Sequence, residues 1–467
     1  MHLSEALSSV AIVARLTKNR RLGGLMTDIL QLTATQLGDA IDKGDLGPVE
    51  ITKTYLDAIT AHPLSPRIYS ELTQDRALAE AKEAEERARL GLRRSPLDGV
   101  PISWKDLYDT AGIKTEAGSL ILKNRVPSED ALVLKNATAM GAVCLGKTHM
   151  SELAFSGLGL NPKTATSPCI HDTDAVSGGS SSGAAASVAF ELAPVAIGSD
   201  TGGSVRIPSV WNDLVGLKTT SGRLSLTGVV PLCARFDTVG PLAKTVADAA
   251  HVLAVLEGRK PIDLSTTSLK GRRLAVLKTV AMSDLRDAPK NAFETAIAKF
   301  TEAGAEIVEI DIPEVEQSFA HAAILFAAEA YGTWGAEIEA NPDLMFEPIL
   351  ERFRGGADFK AADFVAAWQD LERLRVAYLS KTAGFDAVIL PTAPSTPPNI
   401  ERLLRDDDYY LTENLMALRN TRIGNLMGLC ALTLPTGIPS CGVMLMGHPM
   451  QEERLLRLGL SAEAALG

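Results

Sequence analysis

Between Gly178 and Pro208 the chain reads GGSSSGAAASVAFELAPVAIGSDTGGSVRIP, and one lysine stands upstream of it in the segment PISWKD, at Lys105. Two glycine-serine turns flank a short apolar stretch of small residues. Hydroxyls and free backbone N–H groups are thereby drawn together, because glycine accepts positive φ and lets amides converge on one point. That is the composition of an acyl-transfer site. A serine hydroxyl is a weak nucleophile at neutral pH; it needs a base within hydrogen-bond reach and donors aimed at the oxyanion that forms. The seven histidines, at 2, 62, 149, 171, 251, 321 and 448, occupy no turn that would supply such a base. A buried lysine is the alternative.

These groups need a rigid frame. Residues 102–105 follow the turn at Pro96-Leu-Asp-Gly-Val-Pro101 as a short buried strand end, which aims Lys105 at one place. Amphipathic spacing predicts helices over 33–43, 48–60, 77–90, 130–140 and 182–192, with further helices over 314–381 and at the C-terminus. Apolar runs predict strands over 142–145, 195–199, 273–278, 306–311 and 387–390, and two more within 432–446. The alternation predicts an α/β fold: a large, mostly parallel mixed sheet with helices on both faces. Residues 1–25 read as an N-terminal extension, disordered or mis-started, ahead of one domain over 26–467. Ser182 is placed to cap the helix that follows it, and Asp106 to steady the turn after Lys105.

The order Lys105, then GGSSSG, then GSDTGGSVRIP resembles the amidase signature family of serine hydrolases. Lys105 precedes Ser180 by 75 residues, and Ser180 precedes Ser204 by 24. The likeness extends more weakly from about Thr33 to the C-terminus, through Gly216-Leu-Lys-Thr219 and Asp237-Thr-Val-Gly-Pro241. It implies Ser204 as the acylating nucleophile, Ser180 as a bridging serine after a cis peptide bond from Gly179, and Lys105 as the base. It also implies an oxyanion hole from the amides of Thr201, Gly202, Gly203 and Ser204, with Ser181, Asp200 and Arg206 in support. The implied reaction is hydrolysis of a small carboxamide through an acyl-serine, with no metal and no cofactor. For Lys105 to act as a base near neutrality, its pKa must fall from an ordinary value of about 10.4 to near 7, at a cost of about 4 kcal/mol.

Two other readings stay open. The glutaminase component (the A chain) of a tRNA-dependent amidotransferase looks similar, but a polar residue is expected there where Ile207 stands. A non-catalytic binding module would keep the fold without the chemistry. Between His149 and Val176 the chain also departs from the family pattern, with Ser-Pro-Cys-Ile-His in place of an Asn-Pro landmark. Phe155, Leu158, Trp211 and Leu232 are pocket or core.

Three local patterns are set aside. The run Gly141-Ala-Val-Cys-Leu-Gly-Lys-Thr148 fits a phosphate-loop string, but its variable positions are apolar and strand-like. The run Gly179-Ser-Ser-Ser-Gly183 fits a nucleophile elbow centred on Ser181, but no convincing strand precedes it. His171, Asp172 and Asp174 read as a polar loop rather than metal ligands.

Hydrophobic residues at 46% and charged residues at 22% fit a globular enzyme rather than a fibrous or disordered chain. A net charge of −11 argues against nucleic-acid or anionic-lipid partners, leaving a small amide as the expected partner and a homodimer open. The five cysteines lack C-x-x-C spacing, which predicts reduced thiols and a cytoplasmic protein.

Overall fold

The computed structural model describes residues 20–22, 25–27, 29–265 and 267–467. The N-terminal extension expected over 1–25 falls mostly outside the described residues; Arg20–Leu22 and Leu25–Thr27 pair as a small antiparallel ladder.

Eleven strands form the main sheet. In chain order they are β1 (Tyr69–Leu72), β2 (Pro101–Lys105), β3 (Val143–Thr148), β4 (Val195–Ser199), β5 (Val215–Lys218), β6 (Val239–Ala243), β7 (Arg273–Leu277), β8 (Glu306–Ile310), β9 (Ala387–Pro391), β10 (Cys430–Pro435) and β11 (Gly442–Gly447). They lie in the order β8-β7-β9-β11-β10-β5-β6-β4-β2-β3-β1. The sheet is mixed, as the sequence predicts, but the parallel pairs are confined to two blocks, β8-β7-β9 and β4-β2-β3. The pairings between these blocks are antiparallel. Connection chemistry accounts for the difference, since parallel neighbours require a crossover, usually helical. The β2-to-β3 and β7-to-β8 links contain the helices Leu132–Ala139 and Asp287–Glu302. Residues 219–238, between β5 and β6, hold no helix, and residues 436–441 close a tight β10–β11 hairpin.

Side-chain alternation puts the two faces of the sheet to different uses. Val195 and Ile197 of β4 join the main apolar core together with Ala249 and Leu253 of the helix Val246–Glu257. Ala196 points the other way, into a cluster with Ala184, Ala185 and Val188 of helix α1 (Ser182–Ala189). Helices therefore cover both faces. On β2, Ser103 faces α1 as well, its hydroxyl 2.7 Å from that of Ser187, and Lys105 follows on the same face by the period of two. Gly198 is needed at the same junction: a Cβ there would sit 2.6 Å from Ser181 Oγ.

A short helix α2 (Arg206–Trp211) follows the second glycine-serine turn. Farther along, α3 (Ala322–Ala340), α4 (Glu347–Arg354) and α5 (Asp407–Leu426) supply the walls above this turn. Among the described residues no helix is long and apolar enough to cross a membrane.

Candidate active site

Among the described residues three lysines are fully buried, and their partners distinguish them. Lys147, the lysine of the phosphate-loop string, lies inside strand β3 and donates to the Tyr108 carbonyl at 2.7 Å and Thr115 Oγ1 at 2.9 Å, with Asp106 at 3.2 Å. Asp106 thus has a structural role. Lys218 donates to the carbonyls of Thr219 and Leu429, both at 2.8 Å. Lys105, at the end of β2, reaches hydroxyls instead: its Nζ is 2.6 Å from Ser180 Oγ and 2.8 Å from Ser199 Oγ. Burial brings the Lys105 pKa down to about 7, against the opposing pull of the Asp237 and Asp200 charges. Hydroxyl partners carry no formal charge to hold a proton on the amine, so desolvation wins.

Ser180 follows a cis peptide from Gly179. Ser181 Oγ donates to the Ser199 carbonyl and accepts the Ser199 N–H, both at 3.2 Å, tying this turn to the end of β4. The Ser181 N–H reaches across to the Ser204 carbonyl at 3.3 Å. Ser182 is not the cap expected for α1. The helix includes Ser182 as its first residue, so the cap position falls on Ser181, and the Ser182 hydroxyl turns to the His149 carbonyl at 3.4 Å.

The second turn is organised by a buried ion pair. Arg206 Nε and Nη2 donate to Asp200 Oδ2 and Oδ1, each at 2.9 Å, while Nη1 reaches the Thr421 carbonyl and Nη2 the Asn425 side chain, both at 2.6 Å. Burial would raise the Asp200 pKa, but the Arg206 charge and hydrogen bonds outweigh it and hold the carboxyl well below the usual range. The same carboxylate accepts the Gly203 N–H at 2.9 Å and the Val205 N–H at 3.2 Å. Gly203 is thereby set apart from the other amides expected in the oxyanion hole. Among the described residues, no protein acceptor takes the N–H of Thr201, Gly202 or Ser204. Thr201 Oγ1 donates to Asp237 Oδ1 at 2.5 Å, and the Leu232 and Cys233 amides satisfy the rest of that carboxylate.

Ser204, Thr201 and Gly202 line a neck of about 30 Å³ together with Phe155, Leu232 and Phe326. The neck shares Phe155, Phe326, Arg352 and Arg422 with a chamber of about 620 Å³. Leu158 and Trp211 belong instead to an apolar cluster with Ile207 and Leu418. His171 pairs with Asp213 at 2.6 Å on the surface, and all five cysteines are free and buried.

Sequence reasoning missed four residues. Ser199 and Asp237 stand within quoted motifs, yet only the fold brings Ser199 to Lys105 and Asp237 to Thr201. Arg352 and Arg422 sit on ordinary helical patterns in α4 and α5, with no local signal of their position. Their adjacency to Ser204 arises from packing across more than 140 residues of chain.

Known proteins share this architecture and up to about a third of the aligned residues. The chain is similar to a 2-amino-5-chloromuconic acid deaminase of Comamonas testosteroni, 33% identical over 426 residues that cover 86% of this chain and 90% of the relative. It is 31% identical to the A chain of a glutamyl-tRNA(Gln) amidotransferase from Chloroflexus aggregans, over 93% of this chain and 96% of that one. The solved peptide amidase of Stenotrophomonas maltophilia superposes with a TM-score of 0.77 at 27% identity, covering 93% and 96% of the two chains. With the family model described as Amidase matching residues 50–456, the chain belongs to the amidase family of enzymes that act on C–N bonds.

Proposed function

We propose that the protein hydrolyses a linear carboxamide through an acyl-Ser204 intermediate, with Lys105 as the base and Ser180 as the bridge. The uncharged Lys105 amine takes the Ser180 proton as Ser180 takes that of Ser204, and Ser204 Oγ bonds to the substrate carbonyl carbon. The N–H groups of Thr201, Gly202 and Ser204 are the free donors for the resulting oxyanion. The proton then returns by the same route to the nitrogen, the C–N bond breaks, and ammonia or an amine leaves. Water, deprotonated in turn, attacks the ester, the acyl C–O bond breaks, and Ser204 recovers its proton. Asp200 and Arg206 set the backbone of the second turn. Carrying the reading is one observation: a fully buried lysine with a pKa near 7 whose amine rests on Ser180.

The amidotransferase chains among the relatives support a second reading, in which the same chemistry takes ammonia from glutamine within a larger assembly. Ile207 favours the stand-alone hydrolase, because it is fully buried among apolar side chains at a position where the amidotransferase is expected to carry a polar residue. A cytoplasmic enzyme acting on a small-molecule amide fits the free cysteines and the acidic net charge.

The test is labelling with a fluorophosphonate followed by peptide mass spectrometry, alongside ammonia release from alkyl, aryl and urea-type amides. Modification of Ser204 with turnover lost in Ser204→Ala is expected. Full activity in that variant would refute the assignment, and co-purification with two further proteins would favour the amidotransferase.

A further inference from the structure

Two arginines meet at the mouth of the neck without a carboxylate. Arg352 from α4 and Arg422 from α5 line the same small space as Ser204. Among the described residues, neither makes an ion pair or a hydrogen bond, and Arg352 Nη1 is buried with no partner. Their guanidinium groups lie over aromatic rings instead, Arg352 at 4.4 Å from the Phe155 centroid and Arg422 at 5.8 Å from that of Phe326. Tyr410 and Cys233 face Arg352, but burial raises the pKa of both, so at neutral pH neither supplies a negative charge. Two partly buried like charges side by side, one with an orphaned buried donor, are costly unless something compensates them. An anion accepted by the guanidinium forks supplies that compensation.

The rest of the cavity fixes where the anion sits. Glu347, Glu351, Asp407 and Asp408 line the outer chamber and repel a carboxylate there. Among the described lining residues, only the junction beside Ser204 offers cations, and Ser204 is where the scissile carbonyl must lie.

We propose that Arg352 and Arg422 form an anion subsite that selects amides whose acyl half carries a carboxylate a few carbon atoms from the scissile carbonyl, that is, monoamides of short dicarboxylic acids. This inference rests on the proposed acyl-Ser204 reaction and adds its substrate class.

The experiment compares ammonia release from malonamic, succinamic, glutaramic and adipamic acids with that from uncharged counterparts, such as 4-oxopentanamide for succinamic acid. At least one acid is expected to exceed its counterpart by about 100-fold or more in kcat/KM. That ratio should fall below about ten in Arg352→Leu and Arg422→Leu, and should be partly retained in Arg352→Lys. A second measurement uses the unaltered protein: the free dicarboxylate of the best chain length should protect Ser204 from fluorophosphonate, whereas the corresponding diamide should not. Labelling of Ser204 without acid preference and without dicarboxylate protection overturns the subsite and leaves the acyl-serine reading standing. Acid-selective turnover without labelling of Ser204 overturns that reading and leaves the subsite standing.

Discussion

Lys105 Nζ and Ser180 Oγ stand 2.6 Å apart although 75 residues separate them, one ending a central strand and the other leading into α1. The amine can accept a proton through this contact only when uncharged. With its pKa near 7, the protonated form dominates below neutrality and the free amine above it. kcat/KM is therefore expected to rise with pH through a midpoint near 7 and then level off, with activity about tenfold below the plateau at pH 6. A pH-rate profile under subsaturating substrate checks this; a flat profile between pH 5.5 and 8 would remove Lys105 as the base.

The same lysine opposes folding. Its pKa is about 7 in the fold against 10.5 for the free side chain, so between these values the unfolded chain binds the extra proton. The penalty is present in full below pH 7 and fades as pH rises toward 10.5. Lys105→Met is expected to raise stability by about 1–3 kcal/mol near pH 6, after the loss of hydrogen bonds to Ser180 and Ser199 offsets part of the roughly 5 kcal/mol relieved. Urea titrations at pH 6 and pH 9.5 should show the gain shrinking at the higher pH while activity is absent at both.

Asp237 tunes the base from a distance by favouring its charged form. Asp237→Asn is expected to move the acidic limb of the pH-rate profile below that of the parent protein. Because the carboxylate also accepts from Thr201 and two backbone amides, stability should fall by about 1–3 kcal/mol. A limb that stays in place would show that Lys105 does not sense this charge.

Much of the frame was legible because it is written locally. The apolar run 195–199 is bounded by turn residues and became β4 with those limits, and Thr33 with Gln36 closes the first long helix with reciprocal hydrogen bonds. The antiparallel middle of the sheet was not legible, since a strand's direction depends on whether its connection carries a helix, and 219–238 gives no periodic signal either way. Lys105 could be singled out because a lysine ending an apolar strand conflicts with its surroundings. Arg352 could not: in Glu347–Arg354 it reads as one more charge on an amphipathic helix, and only the docking of α4 against α3 brings it to the neck beside Ser204.

The Asp200–Arg206 pair is closed to solvent on both sides. Removing one partner strands the other charge in the interior. Asp200→Ala is expected to lose about 3–5 kcal/mol and with it the alignment of the second turn, measured by chemical denaturation and residual ammonia release. Stability within about 1 kcal/mol of the parent protein would contradict the role given to the pair.

Gly203 has φ of +143°, and a Cβ there would lie 2.1 Å from Thr421 Oγ1. Gly203→Ala must shift the turn that carries Ser204. kcat is expected to fall at least about 100-fold while circular dichroism stays native; unchanged kcat would mean that the turn tolerates displacement.

Lys105 and Ser199 end β2 and β4, strands that lie side by side in the interior of the sheet. The proton-accepting group is thus anchored to interior strands, whose amides are expected to exchange with solvent last, rather than to a hinged segment. Heat inactivation should accordingly coincide with loss of the whole globule, with no inactive yet still folded population in between.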